Sequence, residues 1–334
     1  MKRHVVHCCG LLVALAGCSR ADRTADRTAV AVSAPRKLRV MFLPHVSWAP
    51  IMIAEAEGFF KAEGLDVEHV TGLRAEEGVA ALVTDGIDVL PGPVRAGFLS
   101  AVAQGAKIRI VGGQGELSRD GCTYFGIVVR PGLQPSPATP IKRMRTSQDG
   151  VARYIVSRML EPHHIPLSSI ETIRLPEAVL VSSLERGTID AVAISEPGLT
   201  RSTKVGKLWV RAQDVLPDFQ WGVIAFGERL LEKDRDTGIR FMRAYERGAE
   251  QYRQGKTPRN VSIIAKATGD SEQLTREACW PSFPVGSGID WESIAQFQRW
   301  ANTERLMERT VTRDQVWDSS FVSAARTRTY TESP

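Results

Sequence analysis

Beyond residue 36 the chain alternates short β-rich apolar runs with helical stretches, and it does so twice. Residues 38–43 read as a buried strand, and Pro50 suits the first turn of a helix that runs to about Ala62 and stops at Gly64. Strands at 66–70, 87–90 and 107–111 then alternate with helices at 75–84 and 94–103. That order builds a parallel sheet covered by helices on both faces. Residues 122–129 read as a strand leaving this lobe, and 131–140, rich in Pro and small residues, as a linker. The alternation then restarts, with strands at 142–146, 171–175 and 189–194 and helices at 149–160 and 177–185. One local echo accompanies it: Leu82-x4-Ile87-Asp88 returns as Leu184-x4-Ile189-Asp190, each aspartate read as a structural cap at a turn.

After a strand at 208–210, residues 217–226 look like a strand returning to the first lobe, and helices at 229–254, 261–267 and 294–306 would buttress it. The expected fold is α/β, with two parallel-sheet lobes around a cleft and a C-terminal helical extension. The first lobe takes 37–130 and 219–322, the second takes 131–218, and 323–334 form a polar, disordered tail.

The segment ahead of the fold carries processing signals. Met1 to His4 is a basic start, an apolar stretch follows to Ala16, and Leu15-Ala16-Gly17-Cys18 resembles a bacterial lipobox. That resemblance implies a signal peptide over 1–17, lipidation of Cys18, and a periplasmic or cell-envelope protein held to the membrane by its lipid. Residues 18–36, with the tandem Ala-Asp-Arg-Thr repeat at 21–28, read as a flexible tether too poor in large apolar groups to order itself.

Cys122 and Cys279 are left in the folded part; an oxidising compartment permits them to pair, and two unpaired buried thiols are the simpler reading. Histidine and cysteine spacing fits no metal site, no cofactor is expected, and no basic stripe interleaved with aromatics marks a nucleic-acid partner. The net charge of +5 and pI near 9.0 serve solubility first and an anionic partner second.

Leu38-Arg-Val-Met-Phe-Leu-Pro44, Ala49-Pro50 and Ala54-Glu-Ala-Glu-Gly58-Phe-Phe-Lys-Ala-Glu-Gly64-Leu-Asp-Val67 resemble the nitrate, sulfonate and taurine type of ABC solute-binding protein, which includes binders of thiamine-pyrimidine precursors. The resemblance continues through Gly86-Ile-Asp88, Leu184 to Pro197, Pro217-Asp-Phe219 and Phe241-Met-Arg-Ala-Tyr245. It implies a periplasmic binding protein-like fold, a monomer that closes on a small solute (sulfonate, nitrate, a pyrimidine-like or other organic ligand), and permease subunits as partners. Pro140-Ile-Lys-Arg-Met-Arg-Thr146 departs from the family, which carries a Leu-x-Gly-Lys-like turn there. The cysteine-rich segment of the family's pyrimidine-synthesising enzymes is also missing.

In parallel α/β lobes ligands lie beyond the carboxyl ends of the strands. The candidates are therefore His45, Ser47 and Trp48, then Thr71, then Gly92 and Arg95, and Gly113, with Gly72 and Gly112 beside them. From the second lobe come Ser147, Gln148, Asp149, Ser195 and Glu196, and from the crossing segment Phe219, Gln220 and Trp221. Trp48 would stack on a ligand, Trp221 divides evenly between core and cleft, and the glycines serve either as turns or as points of close backbone approach. Ser147 would cap a helix or grip an anion. A cleft carboxylate at Glu196 would accept N–H donors and repel anions, favouring an organic, heteroaromatic solute; its alternative is a solvent-facing side chain. Transport without chemistry leads the functional readings. Ligand sensing is the alternative, and an enzyme on the same fold ranks last, since no nucleophile with a poised base can be defended.

Overall fold

The computed structural model describes residues 34–146 and 150–327. The leader, Cys18, most of the tether, Ser147, Gln148, Asp149 and the last seven residues lie outside them. The strands are β1 (Arg36–Met41), β2 (Leu65–Val70), β3 (Val89–Pro93), β4 (Arg109–Gly113), β5 (Glu116–Leu117), β6 (Phe125–Val129), β7 (Arg143–Arg145), β8 (Glu171–Ile173), β9 (Ala191–Ser195), β10 (Lys207–Arg211), β11 (Phe219–Gln220) and β12 (Gly222–Phe226). They form two five-stranded sheets, β2-β1-β3-β12-β4 and β10-β6-β9-β7-β8, and a small β11-β5 ribbon.

Read from β8, the second sheet repeats the first strand for strand. β7 lies where β1 lies, β9 matches β3, and β6 matches β12. Both sheets are mixed rather than parallel throughout. β12 enters antiparallel between β3 and β4, and β6 enters antiparallel between β9 and β10. β6 thus belongs to the second sheet, so that strand leaves the first lobe earlier than residue 130. The reason is mechanical: a chain crossing between two lobes arrives from the cleft side and must run against the strands already there.

The paired aspartates hold equivalent joints. Asp88 donates its N–H to the Arg39 carbonyl (2.8 Å), accepts the Arg39 N–H (2.7 Å), and is clamped by the Arg39 and Arg229 guanidiniums at 3.0 and 2.8 Å. Asp190 does the same with Arg143: its N–H reaches the Arg143 carbonyl (2.8 Å), and it accepts the N–H groups of Arg143 (3.0 Å) and Lys142 (2.9 Å) and the Arg130 side chain (3.1 Å). Burial raises both carboxyls, but these hydrogen bonds hold each below its ordinary value.

β6 and β12 are buried along their whole length, as expected of central strands rich in Val, Ile and Phe. The helix Arg235–Arg253 lays Phe241 between Phe60 (5.4 Å) and Phe226 (5.9 Å), and Phe226 meets Phe321 at 5.1 Å. Each buried ring contributes roughly 1.5–3 kcal/mol of transfer free energy. The C-terminal helices pack on the first sheet's lobe, but they also reach the second. Arg201 pairs with Asp270, Lys204 pairs with Glu277 (3.2 Å), and Tyr154 packs against Phe297 and Trp300. The helix Ser320–Thr327 occupies the start of the stretch read as disordered tail, because Phe321 and Val322 have a core to join.

Cys122 and Cys279 form a disulfide, with Cα atoms 5.6 Å apart. It fastens the segment entering β6 to the turn after the helix Glu272–Glu277.

Candidate functional site

A cavity of about 400 Å³ opens at the inner ends of both sheets. The loop after β1 supplies Leu43, Pro44, His45, Ser47 and Trp48, the end of β3 supplies Pro93 and Arg95, and the ribbon supplies Leu117. Across from them stand Tyr124 and Phe125 at the start of β6, Ser195 at the end of β9, Trp221 before β12, and Val151, Ala152 and Ile155 on the helix Gly150–Leu160. Most of the wall is apolar, and among the described residues Arg95 is its one Lys, Arg, Asp or Glu side chain.

The β1 loop is shaped by its own hydrogen bonds. Ser47 donates its amide to His45 Nδ1 (3.3 Å), the Ser47 hydroxyl stands 2.7 Å from the same nitrogen, and the buried Gln114 amide donates to the Ser47 carbonyl (2.7 Å). Because Nδ1 accepts, the imidazole proton sits on Nε2, and the ring bonds across to the Glu196 backbone carbonyl. Burial pushes the His45 pKa below its ordinary value. The Tyr124 hydroxyl bonds to Ser47 and Ser195, so it ties the two sheets at the floor of the cavity, and its burial raises its pKa. Tyr124 stacks on Trp221 at 5.3 Å and 12°.

Both indole groups end without a partner. Trp48 and Trp221 are 4% and 5% exposed, and neither Nε1–H meets an acceptor among the described residues. A buried donor left unpaired costs about 1–3 kcal/mol, which an acceptor atom supplied by a ligand would recover.

The structure brings His45, Ser47, Trp48, Arg95, Ser195 and Trp221 together on this wall. Among the described residues, Thr71, Gly92, Gly113 and Glu196 lie elsewhere. Thr71 is exposed, because β2 is the edge strand, outboard of β1. Gly92 sits under Trp48: its φ of 137° suits glycine, and a Cβ there would stand 3.4 Å from the indole ring. Gly113 is a packing position, since a Cβ would fall 2.2 Å from the Gly288 carbonyl oxygen and 2.4 Å from Gln220 Nε2. Glu196 is neither in the cavity wall nor in solvent. It is 3% exposed, and its carboxylate accepts the Thr200 N–H (2.9 Å), the Thr200 hydroxyl (2.9 Å) and the Cys279 N–H (3.1 Å). It anchors the disulfide-bearing turn to the second lobe, and burial raises its pKa despite those donors.

Tyr124, Phe125 and the helix residues were not foreseen. The rule of carboxyl strand ends misses β6, whose amino end meets the cleft because Phe125 pairs with Ser195 at the carboxyl end of β9. Among the described residues no cluster of His, Cys, Asp and Glu could hold a metal.

The family described as NMT1/THI5 like matches residues 141–255. A putative binding protein of Bacillus subtilis (strain 168), YtlA, is 23% identical over 277 residues, 77% of this chain and 81% of its own. Among solved structures, the ligand-binding component of an ABC-type import system from Staphylococcus aureus superposes with a TM-score of 0.70 at 16% identity, covering 87% of this chain and 99% of that one. The periplasmic aliphatic sulphonate binding protein SsuA from Escherichia coli gives 0.68 at 15% identity, with 86% and 99% covered. The desulfurization enzyme DSZB gives 0.63 at 14% identity, with 88% and 99% covered. With its paired sheets and central cavity, the chain has the periplasmic binding protein-like fold and resembles, in sequence, the NMT1/THI5-like group within it.

Proposed function

We propose that this protein is the extracytoplasmic solute-binding component of an ABC import system, capturing a small organic solute between its lobes and passing it unchanged to permease subunits. The observation that carries this reading is the cavity itself: apolar walls drawn from both sheets, with Arg95 and with two tryptophans whose buried indole N–H groups meet no acceptor among the described residues. A ligand for such a wall has a flat apolar body and an acceptor or anionic group. That reverses the preference for N–H-rich solutes, which rested on a cleft carboxylate at Glu196. The relatives described as binding proteins or import components support the same reading.

An enzyme is disfavoured by the one serine–histidine pair in the cavity. The Ser47 hydroxyl is shared between His45 and Tyr124, and a backbone carbonyl rather than a carboxylate backs the imidazole. Lipidation at Cys18 and a monomeric state complete the proposal and rest on sequence.

Thermal-shift screening of the purified chain against small organic acids and amides, followed by calorimetry and solution scattering, tests it. One ligand per chain, a smaller radius of gyration on binding and quantitative recovery of the unchanged compound are expected; turnover of a bound compound would sink the transport reading. Cys18→Ala should abolish incorporation of a fatty-acid label.

A further inference from the structure

β7, β8 and β9 run parallel, so their carboxyl ends share one edge of the second sheet. Ser195 at the end of β9 lines the cavity, while the ends of β7 and β8 frame a separate recess of about 430 Å³ that includes Arg145, Thr146 and Arg174. Arg145 is half-buried and makes no hydrogen bond or ion pair among the described residues. Thr146 is 6% exposed, and its hydroxyl has no partner. The described carboxylate whose charge acts on Arg145 belongs to Glu177, which pairs with Arg201 at 2.6 Å.

The repeat between the sheets gives a control. Arg39 and Arg143 occupy equivalent places, each exchanging backbone hydrogen bonds with its sheet's aspartate. Two and three residues on, the first sheet carries Met41 and Phe42, both buried and apolar, where the second carries Arg145 and Thr146. The fold thus has no need of a cation and a hydroxyl at these points, and holding them half-desolvated without partners is costly. Arg145 pairs with Val192, three residues before Ser195. At about 3.3 Å per residue along the strand and about 5 Å across, recess and cavity stand about 11 Å apart.

We propose that Arg145 and Thr146 form an anion-accepting end of the ligand site. The captured solute is then an elongated organic acid, with its apolar body in the cavity and its acidic group on the Arg145 fork and the Thr146 hydroxyl. This rests on the cavity being the solute site.

Calorimetry on the full chain in detergent, with 2-naphthoate and its neutral isostere 2-naphthamide as probes, tests it. The unsubstituted protein should bind the acid at least tenfold more tightly than the amide. Arg145→Gln should erase that preference while leaving the amide's affinity unchanged, Arg145→Lys should keep part of it, and Thr146→Val should reduce it a few-fold. Should Arg145→Gln fail to fold, the Lys and Val variants carry the test. A preference that survives loss of the arginine assigns the acid to Arg95 and overturns the proposal, as does equal weakening of both probes. If neither probe binds, the cavity reading falls first and the subsite with it.

Discussion

The two sheets have the same strand order, yet they are sealed differently. In the first, Asp88 is almost completely enclosed, with 1% of its side chain exposed, and two arginines clamp it. In the second, Asp190 keeps 12% of its side chain in contact with solvent and has one arginine clamp, with backbone N–H groups making up the difference. The hydrophobic cores differ in the same sense. The first sheet lies in a continuous core with the long C-terminal helices, whereas the outer face of the second has a small cluster of its own around Val128, Leu180, Leu184 and Val192. The lesson is that one topology serves two roles: a rigid lobe stiffened by the C-terminal helices, and a lighter lobe tied to it by a disulfide, a few ion pairs and the contacts around the cavity.

The largest effect is expected from cutting the tie between the lobes. Removing the disulfide with a Cys122→Ser, Cys279→Ser double substitution frees a closed loop of 157 residues in sequence separation. It should cost about 2–5 kcal/mol in denaturant unfolding. If the second lobe depends on this tie, its transition will separate from that of the first; a single unshifted transition would mean that the lobes are one cooperative unit without it.

Next in size come the aspartates. Asp88→Ala strips a buried carboxylate from two arginines and should destabilise by about 3–5 kcal/mol. Asp190→Ala, more exposed and less clamped, should cost about half as much. Equal losses would remove the distinction drawn between the joints. Since both carboxyls are held below their ordinary values, each contributes stability that is present above the unfolded pKa near 3.8 and is lost as pH falls through the folded value.

Within the cavity, Trp221→Ala should weaken a bound aromatic probe by at least tenfold in calorimetry, because the ring supplies part of the wall. The melting temperature controls for lost stacking on Tyr124.

The smallest effect concerns His45, whose bond to the Glu196 carbonyl crosses between the lobes. Its pKa is depressed by burial, so its contribution is complete above the ordinary value of 6.5 and fades as pH falls below it. Probe affinity should drop by a few-fold between pH 7 and pH 5, and His45→Asn should flatten that profile. An unchanged profile in the variant would assign the dependence to another group.

Much of this was legible in the residues. The spacing of apolar runs, Pro50, and the repeated Leu-x4-Ile-Asp marked strands, helices and the internal echo, because hydrophobic period and turn chemistry are local properties. The loop after β1 was also found from sequence alone, since strand β1 is parallel and its carboxyl end must face the cleft. Glu196 shows the limit. A carboxylate after a strand looks like a ligand contact, but whether it turns inward depends on a turn 83 residues away that offers the Cys279 N–H.

The sequence by itself determined the element order, the doubling of an α/β unit and the assignment of each aspartate to a turn, all of which follow from interactions within a few residues. Only the tertiary structure decided that β6 and β12 run antiparallel, and so that Tyr124 and Trp221 meet the cavity from the amino ends of their strands. It alone paired Cys122 with Cys279 and left Arg145 without a partner among the described residues. These are outcomes of long-range closure, in which contacts between distant segments are chosen by packing rather than by local preference.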